Sequence, residues 1–349
     1  MNLKQAKQMM KPLNEEAMQK AQEHLDSLTK PPGSLGVLED IARKIAGITG
    51  NALPGLSGKT AILMAGDHGV VEEGIAAFPQ EVTPQMVMNF ANGGAAMNVL
   101  SRHVGADLKV VDVGVASDLP DSTAIIKRKV AYGTKNMAKG AAMTKEQALQ
   151  AIEVGLSMAE EAVKEGAGLL AAGEMGIGNT TPSSAIVAFY SGLEVEAVTG
   201  YGTGLPNDKM PLKSEVIRRA IEVNKPDAAD PIDVLSKIGG LEIAAMAGVF
   251  LGAAALRVPV IVDGFIAGAA ALVAIKIEPK VRDFLLASHL SEEPGHAVTL
   301  ELLGLEPMLR MKMRLGEGSG AALAMNLVDA AIKIMHEMAT FESAGVSSN

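Results

Sequence analysis

The chain has 349 residues, a formal net charge of -9 and no cysteine. This composition excludes disulfides, thiol catalysis and zinc–thiolate sites, and the acidic balance disfavours duplex nucleic acid as a partner, because phosphate binding needs a cationic surface. The absence of tryptophan and an aromatic content of 3% also disfavour the stacking surfaces that bind single-stranded nucleic acid.

The N-terminal residues, Met1 to Gln5, lead into a polar stretch without the apolar segment of a signal peptide. The longest apolar run, Ile243 to Leu256, ends at Arg257 and is shorter than the about 20 residues that cross a membrane. We therefore expect a cytoplasmic protein without a membrane segment, in which this run is a buried helix or a subunit contact.

The chain begins with a pattern that predicts one polar amphipathic helix over 1–27, followed by a proline- and glycine-rich loop at 30–36. Further along the chain, short apolar runs predict strands, and longer periodic stretches between them predict helices. The predicted strands are 60–65, 109–111, 168–172 and 258–262, and the predicted helices are 38–48, 85–104, 145–165, 182–191, 242–256 and 321–336.

This alternation predicts an α/β fold with a Rossmann-like parallel sheet flanked by helices. The pattern after about residue 300 is mainly helical. We expect a large Rossmann-like domain over 50–300, and a second, smaller helical domain formed by 1–49 together with 301–349.

Glycine next to acidic or polar residues follows each predicted strand, at the edge where open parallel sheets bind ligands. The longest such segment, 173–182, connects a strand to a helix. Its glycine N–H groups and the helix N-terminus could hold an anion, and no Walker lysine follows it. The segment is interpreted as a phosphate-binding loop or as a glycine-rich turn without a ligand.

A second segment, 315–320, places Glu317 between two glycines, so that a flat ligand can approach its carboxylate from either side. The alternative is a solvated acid at a helix N-terminus, where acids are favoured. In a third segment, Asp67 and His68 lack the spacing of a metal site. We expect these two residues to hold loop backbone or to contact substrate, and we expect no metal.

Together these segments resemble the nicotinate-nucleotide–dimethylbenzimidazole phosphoribosyltransferase family of cobamide synthesis. The resemblance covers nearly the whole chain and is carried by ten collinear blocks. The blocks are 30–36, 65–70, 78–83, 133–137, 173–181, 199–204, 238–242, 262–265, 288–292 and 314–320.

The resemblance implies a homodimer, with no cofactor, whose active site lies between the two domains. It places the catalytic base at Glu317 and the nucleotide site around Glu174, whose carboxylate could stabilise positive charge on the ribose. The implied nucleotide- and phosphate-binding residues are Gly176, Gly178, Asn179, Thr180, Lys213, Asp263, Gly264, Ser291, Leu315 and Gly316. The loop from 76 to 88 would line the base pocket, with Phe78, Pro79, Gln80, Gln85 and Met88.

The implied reaction moves the phosphoribosyl group of nicotinate mononucleotide to 5,6-dimethylbenzimidazole or a similar base. It yields α-ribazole 5′-phosphate and nicotinate, in the nucleotide-loop branch of cobalamin biosynthesis. Many relatives are expected to carry Ser and Tyr where this chain has Ala76 and Phe78, which leaves the preferred base open.

Three other functions stay open at this point. A diphosphate-dependent phosphoribosyltransferase would need two acids before Thr199-Gly200, which this chain lacks. A metal hydrolase would use Asp67 and His68. A nucleotide-binding protein without catalysis would not need Glu317 between two glycines.

Overall fold

A single parallel sheet of six strands organises the computed structural model, which describes residues 1–347. Its order, β3-β2-β1-β4-β5-β6, and the parallel direction of every neighbouring pair confirm the predicted α/β fold. This order opens a ligand crevice between β1 and β4, at their carboxyl ends. The strands are β1 Gly58–Gly66, β2 Ala106–Gly114, β3 Ile125–Lys127, β4 Ala167–Met175, β5 Val260–Val262 and β6 Leu285–Ala287.

Helices connect the strands and cover both faces of the sheet. Three short 3-10 helices lie at Gly69–Glu73, Asn207–Lys209 and Pro279–Phe284. The α-helices are α1 Leu3–Met9, α2 Glu15–Ser27, α3 Val37–Thr49, α4 Val82–Ala91, α5 Ala96–Val104, α6 Lys145–Lys164, α7 Thr180–Ser191, α8 Val195–Val198, α9 Met210–Asn224, α10 Pro231–Ile238, α11 Leu241–Leu256, α12 Phe265–Ile277, α13 Pro294–Leu303, α14 Ser319–Glu337 and α15 Phe341–Ala344.

The core has two layers, because successive strand side chains point to opposite faces of the sheet. Ile62 and Leu170 belong to the larger apolar cluster, which α6, α11 and α12 cover. Leu63 and Leu169 belong to the cluster on the other face, which α3, α5 and α14 cover. The sheet is therefore buried on both sides, as its nearly continuous apolar strands require.

Helix α11 lies in the core of the single chain and packs along α6. A Cβ atom added at Gly155 would lie 1.9 Å from the carbonyl oxygen of Ala245, and one at Gly248 would lie 2.0 Å from that of Ile152. The two helix backbones are therefore in direct contact. The apolar run 243–256 is a buried helix, and no helix within residues 1–347 is long and apolar enough to span a bilayer.

Two of the predicted helices are wrong in extent. The predicted helix 1–27 is divided into α1 and α2, because Pro12 lacks an N–H group and Asn14 starts a new helix by accepting from the N–H of Ala17. The predicted helix 85–104 is divided into α4 and α5 at Gly93, whose φ is +77°. The sequence analysis also missed β3 and β6, which have three residues each.

The terminal helices α2, α3 and α14 pack on one another, and they share an apolar cluster with one face of the sheet. The division into a large domain over 50–300 and a smaller one of 1–49 and 301–349 stays a prediction. Residues 348 and 349 of that smaller unit lie outside the described part of the chain.

Candidate active site at the carboxyl edge of the sheet

The loop that carries Glu317 crosses the carboxyl end of β4. A Cβ atom at Gly173 would lie 2.2 Å from the carbonyl oxygen of Glu317, so only glycine allows this approach. Gly316, Glu317 and Gly318 have φ values of +82°, +64° and +93°. Glutamate rarely adopts this left-handed conformation, which marks Glu317 as a residue held in place by its surroundings.

The side chain of Glu317 is buried against the N-terminus of α5. Its Oε2 accepts a hydrogen bond of 3.4 Å from the N–H of Met97 in the first turn of that helix. Burial raises the pKa of the Glu317 carboxyl, and the nearby Asp263 carboxylate acts in the same direction. Glu317 is thus a stronger base than a solvated glutamate.

Glu174, at the end of β4, connects to the Glu317 loop directly. Its Oε1 accepts a 3.1 Å hydrogen bond from the N–H of Glu317, and its Oε2 accepts from the side-chain amide of Asn179. Burial raises the pKa of Glu174 to about 7, and the Asp263 and Glu242 carboxylates add to this effect. The structure therefore joins three predicted site residues, and the Glu174 carboxyl changes its protonation state near neutral pH.

Asp263 follows β5 and accepts from the first residues of α14. Its Oδ2 accepts a 3.1 Å hydrogen bond from the N–H of Gly318, and its Oδ1 accepts one of 2.9 Å from the N–H of Ala321. Burial raises the pKa of this carboxyl as well. Asp263 thus contacts the backbone of both the Glu317 loop and the first turn of α14.

Lys213, from α9, lies beside the N-terminus of α7. Its buried ammonium donates to Thr180 Oγ1 at 2.9 Å and to the carbonyl oxygen of Gly200 at 2.8 Å. These bonds use two of its three protons, which leaves one for a ligand. Burial lowers the pKa of Lys213 to about 8. The structure therefore places Lys213 next to Thr180, and its contact with a phosphate stays a prediction.

A small cavity beside Glu174 brings together further predicted residues, Asp263, Gly264, Ser291 and Gly316. Among the lining residues that the sequence analysis did not select are the charged Glu293 and Arg314. Arg314 is the first residue of the block 314–320, and its positive charge three residues before Glu317 was the signal available in the sequence. Leu315, also predicted here, has an exposed side chain.

The predicted base-pocket loop meets the site at the start of α4. Thr83 Oγ1 accepts a 3.0 Å hydrogen bond from the N–H of Ile177, which ties the loop to the segment after β4. Gln80 lines a separate crevice next to Asp67, whereas Phe78 is exposed. Pro79 and Gln85 are exposed and Met88 is half-buried. These positions leave the five base-pocket residues as a prediction.

Asp67 and His68 contact protein groups at the end of β1. Asp67 Oδ2 accepts a 2.8 Å hydrogen bond from the N–H of Ala116, and His68 Nε2 lies 2.7 Å from Glu242 Oε1. The pair of His68 and Glu242 was not predicted, since the two residues are far apart in the chain. Within residues 1–347, no three His, Asp or Glu side chains form a metal-binding group.

Comparison with known proteins gives one consistent result. A family model described as phosphoribosyltransferase matches residues 10–346. The nicotinate-nucleotide–dimethylbenzimidazole phosphoribosyltransferase of Geobacter sulfurreducens is 55% identical over 336 residues, with 96% of each chain covered. The enzyme of the same name from Desulforamulus reducens is 56% identical, over 95% of this chain and 94% of its own.

A solved structure gives the same likeness in three dimensions. The crystal structure of the enzyme of that name from Thermus thermophilus superposes with a TM-score of 0.92 and 46% sequence identity. The match covers 97% of this chain and all of the other, so it includes both the sheet and the loops at its carboxyl edge.

Proposed function

Because this chain belongs to the nicotinate-nucleotide–dimethylbenzimidazole phosphoribosyltransferase family, we propose that it transfers the phosphoribosyl group of nicotinate mononucleotide to 5,6-dimethylbenzimidazole or a similar base. The products are α-ribazole 5′-phosphate and nicotinate. The reaction supplies the lower-ligand nucleotide of cobalamin.

The reaction needs one general base and no general acid at the leaving group. The bond from ribose C1′ to the pyridinium nitrogen breaks, and its electron pair neutralises that nitrogen. The unprotonated ring nitrogen of the benzimidazole forms the new bond to C1′ and becomes cationic. Its other ring nitrogen then loses a proton, which Glu317 accepts.

The single observation that carries this proposal is the contact between Glu174 and the Glu317 loop. Glu174 and Glu317 come from distant parts of the chain, and at the carboxyl end of β4 the backbone N–H of Glu317 donates to the Glu174 carboxyl. Burial raises the pKa of both groups, which makes Glu317 a stronger base than a solvated glutamate and brings the pKa of Glu174 to about 7. In this arrangement Glu317 is the proton acceptor, and Glu174, when ionised, stabilises positive charge on the ribose.

The nucleotide phosphate lies at the N-terminus of α7 in this proposal. Glycine N–H groups and the positive end of a helix favour an anion there, and the remaining proton of Lys213 can donate to a phosphate oxygen. Gly176, Gly178, Asn179 and Thr180 belong to this segment. The nucleotide site is completed by Gly264, Ser291, Leu315 and Gly316. Three of these residues, Gly264, Ser291 and Gly316, line one cavity, which supports their assignment to this site.

The other parts of the proposal follow from the family. The base lies between the loop 76–88 and Glu317, and the active form is a cytoplasmic homodimer.

A monophosphate has no pyrophosphate for magnesium to bridge, so the reaction requires no metal. Ala76 and Phe78 provide no hydroxyl groups at the base pocket, which favours apolar substituents on the base.

Mass spectrometry of the products tests the function directly. The purified protein is incubated with nicotinate mononucleotide and, in separate reactions, with benzimidazoles, purines and phenols, each with and without a strong chelator. We expect a ribosylated benzimidazole phosphate and free nicotinate in both conditions. Absence of that product would contradict the proposed function, and activity that chelation abolishes and magnesium restores would contradict the mechanism.

A further inference from the structure

Asp263 contacts the backbone on the C-terminal side of the proposed base. Its two oxygens accept from the N–H groups of Gly318 and Ala321, at 3.1 and 2.9 Å. A carboxylate bound in this way neutralises the positive end of α14 and satisfies N–H groups that have no partner within the helix. Only 3% of Asp263 is exposed, so solvent does not compete for these bonds.

Glu174 holds the same loop from the other side, through the N–H of Glu317. The loop of the proposed base is therefore held by two carboxyl groups, that of Glu174 at the end of β4 and that of Asp263 just after β5. A third strand adds a steric contact, since a Cβ atom at Gly320 would lie 2.0 Å from His289 Nδ1 after β6. Ser288 anchors Asp263 in turn, because its hydroxyl donates to the Asp263 carbonyl oxygen at 2.7 Å.

Glu317 needs such restraint because it adopts φ of +64° without being glycine. The left-handed conformation of a bulky residue persists only where its surroundings hold it. Released, the loop would relax to ordinary φ values and would move the carboxylate away from its place over β4.

We infer that Asp263 is a positioning residue, which acts on the reaction by holding the backbone of Glu317 and not by binding the nucleotide. The effect of Asp263 on the reaction rests on the proposed function. Its effect on the loop backbone rests on the hydrogen bonds alone. A general base displaced by about 1 Å can cost on the order of 10²-fold in rate, whereas substrate binding is unaffected.

Two substitutions test this role. Asp263→Asn keeps one acceptor oxygen and turns an amide N–H₂ toward a backbone N–H, which breaks one of the two contacts. Asp230→Asn is the matched control, because Asp230 Oδ1 accepts from Ile232 and Asp233 at 3.1 and 3.2 Å, at the start of α10. If Asp263→Asn does not fold, Asp263→Ser, whose hydroxyl still accepts at a helix N-terminus, takes its place.

Steady-state kinetics separate positioning from binding. For Asp263→Asn we expect kcat to fall by roughly 10- to 100-fold, with KM for nicotinate mononucleotide within about threefold of wild type. In a Glu317→Gln background the same substitution should cause no further fall, because the proton acceptor is already lost. A tenfold rise in nucleotide KM at unchanged kcat, or an equal fall in both backgrounds, overturns the inference.

Amide hydrogen exchange measures the mobility of the loop backbone and does not depend on turnover. Peptides covering 316–321 should exchange at least about tenfold faster in Asp263→Asn than in wild type, and at the wild-type rate in Asp230→Asn. Unchanged exchange at 316–321 overturns the inference even if activity falls. A wild-type protein without turnover contradicts the proposed function instead, and the exchange experiment still decides the role of Asp263.

Discussion

Glu317 combines an uncommon backbone conformation with a buried carboxylate. Its φ of +64° follows from the two flanking glycines and from the carboxylates of Glu174 and Asp263 that bind the loop. The sequence contains the two glycines and the acid between them, which mark this loop as a candidate site. It does not predict the contact with Glu174, because 143 residues separate the two and only the sheet brings them together.

Glu317→Gln keeps the shape of the side chain and removes the proton acceptor. We expect kcat to fall by roughly 10²–10⁴-fold, the usual range for loss of a general base, with nucleotide affinity within about threefold of wild type. Glu306→Gln, an exposed acid on the preceding loop, is the control. Wild-type turnover of Glu317→Gln at saturating substrates would remove Glu317 from the mechanism.

Glu174 should make stability depend on pH. Burial raises its pKa from 4.5 to about 7, so between these values the folded protein holds a proton that the unfolded chain releases. The free energy of unfolding therefore falls as the pH rises through this window, by roughly 3 kcal/mol in total. In Glu174→Gln this part of the pH dependence should disappear.

Urea unfolding of wild type and Glu174→Gln at pH 4.5 and pH 8 measures the contribution of Glu174. The contributions of groups that titrate alike in both proteins cancel in the comparison. The free energy of unfolding of Glu174→Gln relative to wild type should be higher at the upper pH. An equal difference at both values would mean that Glu174 has an ordinary pKa.

Lys213→Ala removes the buried ammonium beside Thr180. A charge-assisted hydrogen bond is worth about 1.5–3 kcal/mol, so the KM for nicotinate mononucleotide should rise by roughly one to two orders of magnitude. The KM for the base should change little. Lys209→Ala, an exposed neighbour, is the control, and a rise in the KM for the base alone would place Lys213 in the base pocket.

Among the elements, long and regular ones are predictable from the sequence and short ones are not. The cores of β1, β2 and β4 are apolar runs bounded by glycine, and α6 begins at a threonine cap at 144, so their positions follow from local signals. Strands β3 and β6, with three residues each, carry too little pattern. They form because neighbouring strands offer them hydrogen-bonding partners.

The contact between α6 and α11 gives a prediction at this scale. Gly248→Ala would place a methyl group against the backbone of Ile152, so the helices must separate. We expect a loss of at least about 2 kcal/mol in the free energy of unfolding. Gly140→Ala is the control, because a Cβ atom there meets open space. A melting temperature equal to that of wild type would show that the helix pair is more loosely packed.

For the whole molecule, composition and periodicity predict a parallel sheet covered on both faces. They do not predict the strand order, because every crossover between parallel strands has the same local pattern. The order follows from long-range pairs such as Gly58 with Ala167. The carboxyl-edge site is predictable as a region, since polar residues follow each strand, whereas its individual contacts depend on this order.

Assembly is also a property of the whole molecule. We predict a homodimer from the resemblance to the family. Sedimentation at micromolar concentration should give the mass of two chains. A single-chain mass under those conditions would contradict the prediction.

Synthesis from the N-terminus delivers the parts of this site to the sheet in a fixed order. β1 cannot pair with β4 until residue 167 has been made, and Glu317 follows Glu174 by 143 residues. At ordinary translation rates that interval lasts roughly 7 to 29 s. Until α14 emerges from the ribosome, Leu169 and Ile261 lack part of their cover on that face of the sheet. The nascent chain therefore presents this apolar surface until α14, which directly follows the Glu317 loop, packs over it.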